Sequence, residues 1–182
     1  MNRTTLLAIA TCVPLIAGTS APAQTASSEN PNDAIPDAMP FDIPYGEPTK
    51  IETAKKVAMA AVTEAQKHGN WKLCISIVSP SGDLIYFERM DDAQLASISI
   101  SQHKARVAAK YRRPTLALET NMAKGAFFSY QATLDDIVAS RGGNPLVAGG
   151  RLIGAIGVSG GTGSQDDVVS KAGVAALNAA LD

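Results

Sequence analysis

Two stretches of this chain each hold a pair of short apolar runs joined by a tight turn, and they restrict the fold more than any other feature. In WKLCISIV, Trp71 to Val78, Leu73, Ile75 and Ile77 alternate with Lys72, Cys74 and Ser76. SPSGD, Ser79 to Asp83, has turn composition, and LIYFERM follows as the partner strand. PLVAG and RLIGAIGV repeat the arrangement around Gly149-Gly150, after a Gly142-Gly143-Asn144-Pro145 turn. Strands that come as neighbouring pairs with short connections build an antiparallel sheet.

The rest of the chain supplies helices to cover it. A first helix begins at Thr49, where Thr49 and Glu52 form a T-x-x-E capping box. Ile51, Ala54, Val57, Ala58, Ala61, Val62 and Ala65 then recur at helical spacing until Gly69 stops the run. A second helix spans Ser97 to Tyr111 and ends at Arg113-Pro114. Residues 115 to 140 read as irregular or short-helical. A last helix runs from Ser164 to Leu181, with Ser164 and Asp167 as a box-like cap. The order is helix, hairpin, helix, irregular segment, hairpin, helix: an α/β (α+β) domain over residues 49–182.

The N-terminus is expected to be removed. Arg3 precedes an apolar run from Leu6 to Ile16, which ends in Ala21-Pro22-Ala23, a signal-peptidase pattern. The run is too short to anchor the chain in a bilayer. No twin arginine is present, and Cys12 lies inside the run rather than at the cleavage site. The expected location is periplasmic or secreted, with Gln24 first in a mature chain of 159 residues. Residues 24–48 are rich in Pro, Ser, Asn and Asp and read as a flexible leader that docks through Phe41, Ile43 and Tyr45. The mature chain has 15 basic and 17 acidic residues, so nothing suggests a nucleic-acid or anionic-membrane partner. Its one cysteine, Cys74, excludes an internal disulfide and reads as a buried strand thiol.

RLIGAIGVSGGTGSQDD, Arg151 to Asp167, has the outline of a nucleotide-binding loop: strand, glycines, helix. The details fail. Gly154, Gly157 and Gly160 are spaced three apart rather than as G-x-G-x-x-G, no lysine occurs before Lys171, and no strand follows. Plain turn geometry is the commoner reading of Gly160 and Gly161, and free amides at the helix start are the alternative, as an anion site.

Among polar residues, Ser99, His103, Arg106 and Lys110 share the solvent face of the second helix, opposite Ile98, Ser101, Ala105, Ala108 and Ala109. Lys104 falls between them. It either snorkels to water or points into a pocket and pairs with an anion. His68 sits at a helix C-terminus, where the helix dipole favours a cation. Two histidines without H-x-x-x-H spacing argue against zinc. Asp91-Asp92 close a strand after Arg89-Met90, either as ligand groups or as a solvated turn; Asp166-Asp167 fit a helix N-terminus. Gly157-Val158-Ser159-Gly160-Gly161 has the letters of a G-x-S-x-G elbow but is not read as one, and no Cys-His arrangement is indicated. The residues alone point to a pocket near Arg89, Lys104 and the Gly160 loop.

Taken together, GDLIYFERMDDAQLASISISQHKARVAAKYRRPT and RGGNPLVAGGRLIGAIGVSGGTGSQDD resemble the GlcG/HbpS-like haem-binding family, to which the C-terminal domain of PduO-type corrinoid adenosyltransferases also belongs. The resemblance covers about residues 49 to 182. It implies a profilin-like domain with a five-stranded antiparallel sheet flanked by helices, and self-assembly into homo-oligomers, commonly octamers. It implies haem as cofactor, with haem breakdown or iron binding among the family's activities. The chain departs from the pattern at Ser79-Pro80, where many members carry an acid, and over residues 121–135.

The resemblance therefore implies an exported binding protein for haem or a related tetrapyrrole. Arg89, Lys104 or Arg112 would pair with the propionates, and Phe127, Phe128 and Tyr130 either stack on the ring or serve as core or subunit-interface residues. Tyr130 and His103 are the candidate axial ligands. The alternative is an enzyme or sensor for a small organic acid or aromatic metabolite, its carboxylate held by Lys104 and Arg89, with the amides of the Ser159, Gly160 and Gly161 loop as anion or oxyanion donors; Asp91 is a further ligand-binding candidate. A third reading is an oligomeric partner protein with no ligand.

Overall fold

A computed structural model describes residues 30–69 and 71–179. The expected export signal, the expected leader before residue 30 and the last residues of the expected C-terminal helix lie outside the described residues. The elements are α1 (Ile51–Lys67), β1 (Cys74–Val78), β2 (Leu84–Arg89), α2 (Ala96–Lys110), α3 (Thr115–Met122), β3 (Gly143–Ala148), β4 (Arg151–Ser159) and α4 (Gly163–Asn178). Short 3₁₀ segments occupy Pro31–Asp33 and Ala126–Thr133.

Both hairpins form, and they pair through their inner strands into one antiparallel sheet of order β2-β1-β4-β3. The sheet has four strands, not the five expected. The leader runs beside the start of β4 but makes only an isolated parallel bridge, Tyr45 to Leu152. Its backbone bonds are three: Leu152 N–H to Pro44 O, Gly46 N–H to Leu152 O and Thr49 N–H to Ile153 O. Pro44 and Pro48 have no N–H to donate, so a regular ladder cannot continue.

Central strands β1 and β4 are covered on both faces. Leu73, Ile75, Ile77, Ile156 and Val158 meet α1 and α4 in the larger core, with Val57, Ala61, Val169 and Leu177. The opposite face meets α2 and is built of small residues. Ser76 and Gly157 lie opposite one another in register, and Ser76 Oγ is 2.9 Å from Ser101 Oγ on α2. A Cβ at Gly157 would run into the Ser101 carbonyl, so glycine is what lets the α2 backbone rest on β4.

Three local expectations are corrected. Thr49 does not cap α1: Lys50 is the N-cap residue without a side-chain bond, and Thr49 is buried against β4 with Oγ1 unpartnered. The α4 box is Thr162 with Gln165, not Ser164 with Asp167. Gly143 and Asn144 belong to β3 rather than to a turn, because Gly143 pairs opposite Gly157 and its N–H donates to Thr115 Oγ1 at 2.9 Å.

Candidate functional site

The antiparallel register brings distant residues to one end of the sheet. Cys74, the first residue of β1, lies between Arg89 at the end of β2 and Ser159 at the end of β4. The approach to β1, Trp71 to Leu73, therefore runs between the exits of two strands. Met90 N–H donates to Leu73 O at 3.0 Å on one side. On the other, Gly160 takes φ +142 and passes so close to the Lys72 carbonyl that a Cβ there would come within 2.5 Å of it. Glycine is required at that crossing.

Two clefts flank this strand and share Trp71 and Lys72. One, of about 350 Å³, lies toward β2 and α1 and is lined by Val62, Glu88, Arg89, Met90 and Asp91. The other, of about 380 Å³, lies toward Gly160, Gly161 and Gln165. Trp71 is half-buried and stacks on the His68 ring, with centroids 3.9 Å apart and planes inclined by 11°. His68 Nε2 lies 3.5 Å from Glu64 Oε1, and the side chain is 40% exposed. Lys72 is paired with Asp92 at 2.8 Å. Arg89 is exposed and pairs with no carboxylate among the described residues.

Beneath the second cleft lies a buried ion pair. Lys104 Nζ donates to Asp166 Oδ2 at 2.8 Å, with side chains 2% and 3% exposed. Asp166 Oδ1 accepts from Gly161 N–H at 3.0 Å. Burial raises the Asp166 carboxyl above its ordinary value, and the Lys104 ammonium and the Gly161 amide pull it partly back. Of the two readings open for Lys104, the structure takes the pocket-and-anion one, with the anion supplied by the protein itself.

This arrangement changes what the glycine loop can do. The Gly161 amide is held by Asp166, and the Thr162 amide donates to Gln165 Oε1 at 2.8 Å. Ser159 is buried, and its Oγ bonds to Ser97 Oγ at 3.2 Å. The helix start is thus self-capped and offers neither a free nucleophile nor these amides to an oxyanion. Cys74 is buried as expected, and burial pushes its thiol above the ordinary range against the opposing pull of Arg89.

Arg89, Asp91, Ser159, Gly160 and Gly161 are therefore gathered at one end of the sheet, with Lys104 braced below. Tyr130, His103 and Arg112 are not among them. His103 is half-buried on α2, and Tyr130 is 49% exposed in the Ala126–Thr133 segment. Arg112 lies under the leader, where Nη1 donates to Ile43 O at 3.2 Å and the guanidinium sits 5.4 Å from the Tyr45 ring centroid. Sequence reasoning missed Trp71, Met90 and His68 as neighbours of Arg89, and Asp166 as partner of Lys104. The hairpin register carried part of the first signal, since it sets Leu73, two residues after Trp71, opposite Met90. Nothing in the sequence marked the second. Among the described residues no group of three His, Cys, Asp or Glu side chains is placed to hold a metal ion, and no helix is long and apolar enough to cross a membrane.

Comparison with known proteins places this geometry in context. Residues 50–175 match the family described as HbpS-like haem-degrading proteins. Protein GlcG of Escherichia coli K12 is 40% identical over 115 residues, covering 61% of this chain and 84% of GlcG. Among solved structures, the PduOC:haem complex superposes with a TM-score of 0.65 at 29% identity, covering 71% of this chain and 94% of that one. A double mutant of Streptomyces reticuli HbpS gives 0.66 at 27%, covering 78% and 95%.

Proposed function

The chain belongs to the HbpS-like family, and from that premise we propose that it binds haem at the sheet end around Trp71. The carrying observation is the donor set gathered there. Trp71, Val62 and Met90 offer an apolar and aromatic surface, and Arg89 is a cation without a carboxylate partner among the described residues, suited to a propionate. Met90 in the cleft carries a thioether sulfur, and His68, stacked on Trp71, carries an imidazole nitrogen; both are iron-ligand types. These residues fit haem. Bound there, haem would supply an iron centre. The protein's part is to shelter one ring face, neutralise propionate charge and offer an axial donor. Lys104 takes no direct part in this reading, because its ammonium is committed to Asp166. Tyr130 and His103 are set aside as axial ligands because they lie away from Arg89 and Trp71.

The finer parts of the reading rest on the resemblance: a profilin-like topology, export to the periplasm or medium, assembly into a homo-oligomer such as an octamer, and haem breakdown or iron binding. The organic-acid reading is less favoured, since the Gly161 amide of the proposed donor loop is held by Asp166 and Lys104 is committed to the same carboxylate. Haemin titration followed by the Soret band tests the proposal, with His68→Ala and Met90→Leu as site variants.

A further inference from the structure

A third cavity, of about 520 Å³, runs along the free edge of β3, away from the sheet end. Val174 and Ala175 of α4 form one wall, and Phe41 and Ile43 of the leader face them. Its charged lining residues are both cations, Arg112 and Lys171. Lys171 is 59% exposed and touches Asp167 at 2.6 Å; Arg112 spends one N–H on Ile43 O, has Nη1 3.8 Å from the exposed Asp42 carboxylate and keeps further N–H groups. No His, Cys, Met or Tyr lines the cavity, so it has no customary haem-iron ligand.

Two further observations favour a ligand site. Phe41 and Arg112 both hold left-handed backbone, with φ of 59° and 52°, and both line this cavity; at Arg112 this is the ordinary turn that follows the C-cap of α2. A bulky residue such as Phe41 keeps that conformation only when surroundings enforce it, and such strain collects at ligand clamps. The Arg113 guanidinium, 3.7 Å from the Phe41 ring centroid, is one such enforcing contact. Pro145 stands in edge strand β3 and has no N–H to offer, which disfavours addition of a strand from another chain.

We propose that this groove binds a metal-free amphipathic carboxylate, its apolar body between α4 and the leader and its carboxylate against Arg112 and Lys171. The site is separate from the haem proposal and stands or falls without it.

Anilinonaphthalene sulfonate, an apolar aromatic anion, is the probe, used with the full chain. Its fluorescence should rise saturably and be displaced by 2-naphthoate and decanoate, but not by neutral 2-naphthalenemethanol at equal concentration. Lys171→Gln, which removes a cation, and Val174→Glu, which places a repelling anion in the apolar wall, should each weaken naphthoate about tenfold. Unchanged far-UV circular dichroism shows that the variants remain folded. His68→Ala should leave naphthoate binding unaltered, so loss of haem binding and loss of naphthoate binding are read separately. The proposal is overturned if the neutral alcohol competes as well as the acid, or if both groove variants bind naphthoate normally. It is equally overturned if those variants change the sedimenting mass, because a second copy of the chain would then be the occupant.

Discussion

Lys104 and Asp166 are 62 residues apart and meet at 2.8 Å with almost no exposure. Two ions withdrawn from water gain little net stability from each other, but removing one strands the other. Asp166 shows the cost directly, since burial outweighs the ammonium and raises its proton affinity. The native chain thus holds this proton more tightly than the unfolded chain. The resulting contribution to stability declines as pH rises through the raised native value. Lys104→Met or Asp166→Leu alone should cost about 3–5 kcal/mol by urea denaturation. The double variant should recover most of the loss. Equal and additive losses would mean that the pair acts through packing alone.

At the scale of elements, the seat of α2 on β4 depends on absent side chains. Gly157→Val should push α2 off the sheet and cost about 1–3 kcal/mol or more, measured as a lowered denaturation midpoint. A second connection ties α3 to the start of β3. Arg141 donates to Glu119 from Nε, Nη2 and its backbone amide, at 2.9, 2.6 and 2.7 Å. The Arg141 side-chain bond is the first cause holding Glu119 below the ordinary carboxylate value. This contribution is therefore complete above the unfolded value and fades as pH falls through the lowered native one. Glu119 is 31% exposed, so solvent screens the pair and keeps its contribution small. The Tm gap between the wild type and Glu119→Gln should be open at pH 7 and narrow below pH ~4. A gap independent of pH would show that the charge plays no part.

Elements were legible in this chain where a local pattern decides them. The α1 stripe from Ala54 to Ala65 and both hairpins read directly from spacing, because periodic burial is imprinted on consecutive residues. The caps of α1 and α4 were misplaced because tertiary partners took over: Thr49 docks on Ile153, and Thr162 with Gln165 outcompetes Ser164. The candidate site was legible in part. Arg89, Asp91 and Ser159 to Gly161 converge through register, but the Lys104 anion lies on another helix and left no local trace. The His68–Trp71 stack spans a short stretch, yet a histidine at a helix end has an ordinary explanation that hid it.

For the whole molecule, two clefts at one sheet end and an apolar groove along the β3 edge divide the surface between the two proposed ligands. Self-assembly predicts a sedimenting mass that is a multiple of the chain; a monomer at micromolar concentration would contradict that part. The central claim is haem capture beside Trp71. It is tested most directly by titrating the purified chain with haemin and following the Soret band, with His68→Ala, Arg89→Gln and the groove variant Val174→Glu in parallel. The account predicts a saturable one-to-one shift, weakened about tenfold or more in the first two variants and unchanged in the third. No saturable shift, or one lost only in Val174→Glu, would contradict it.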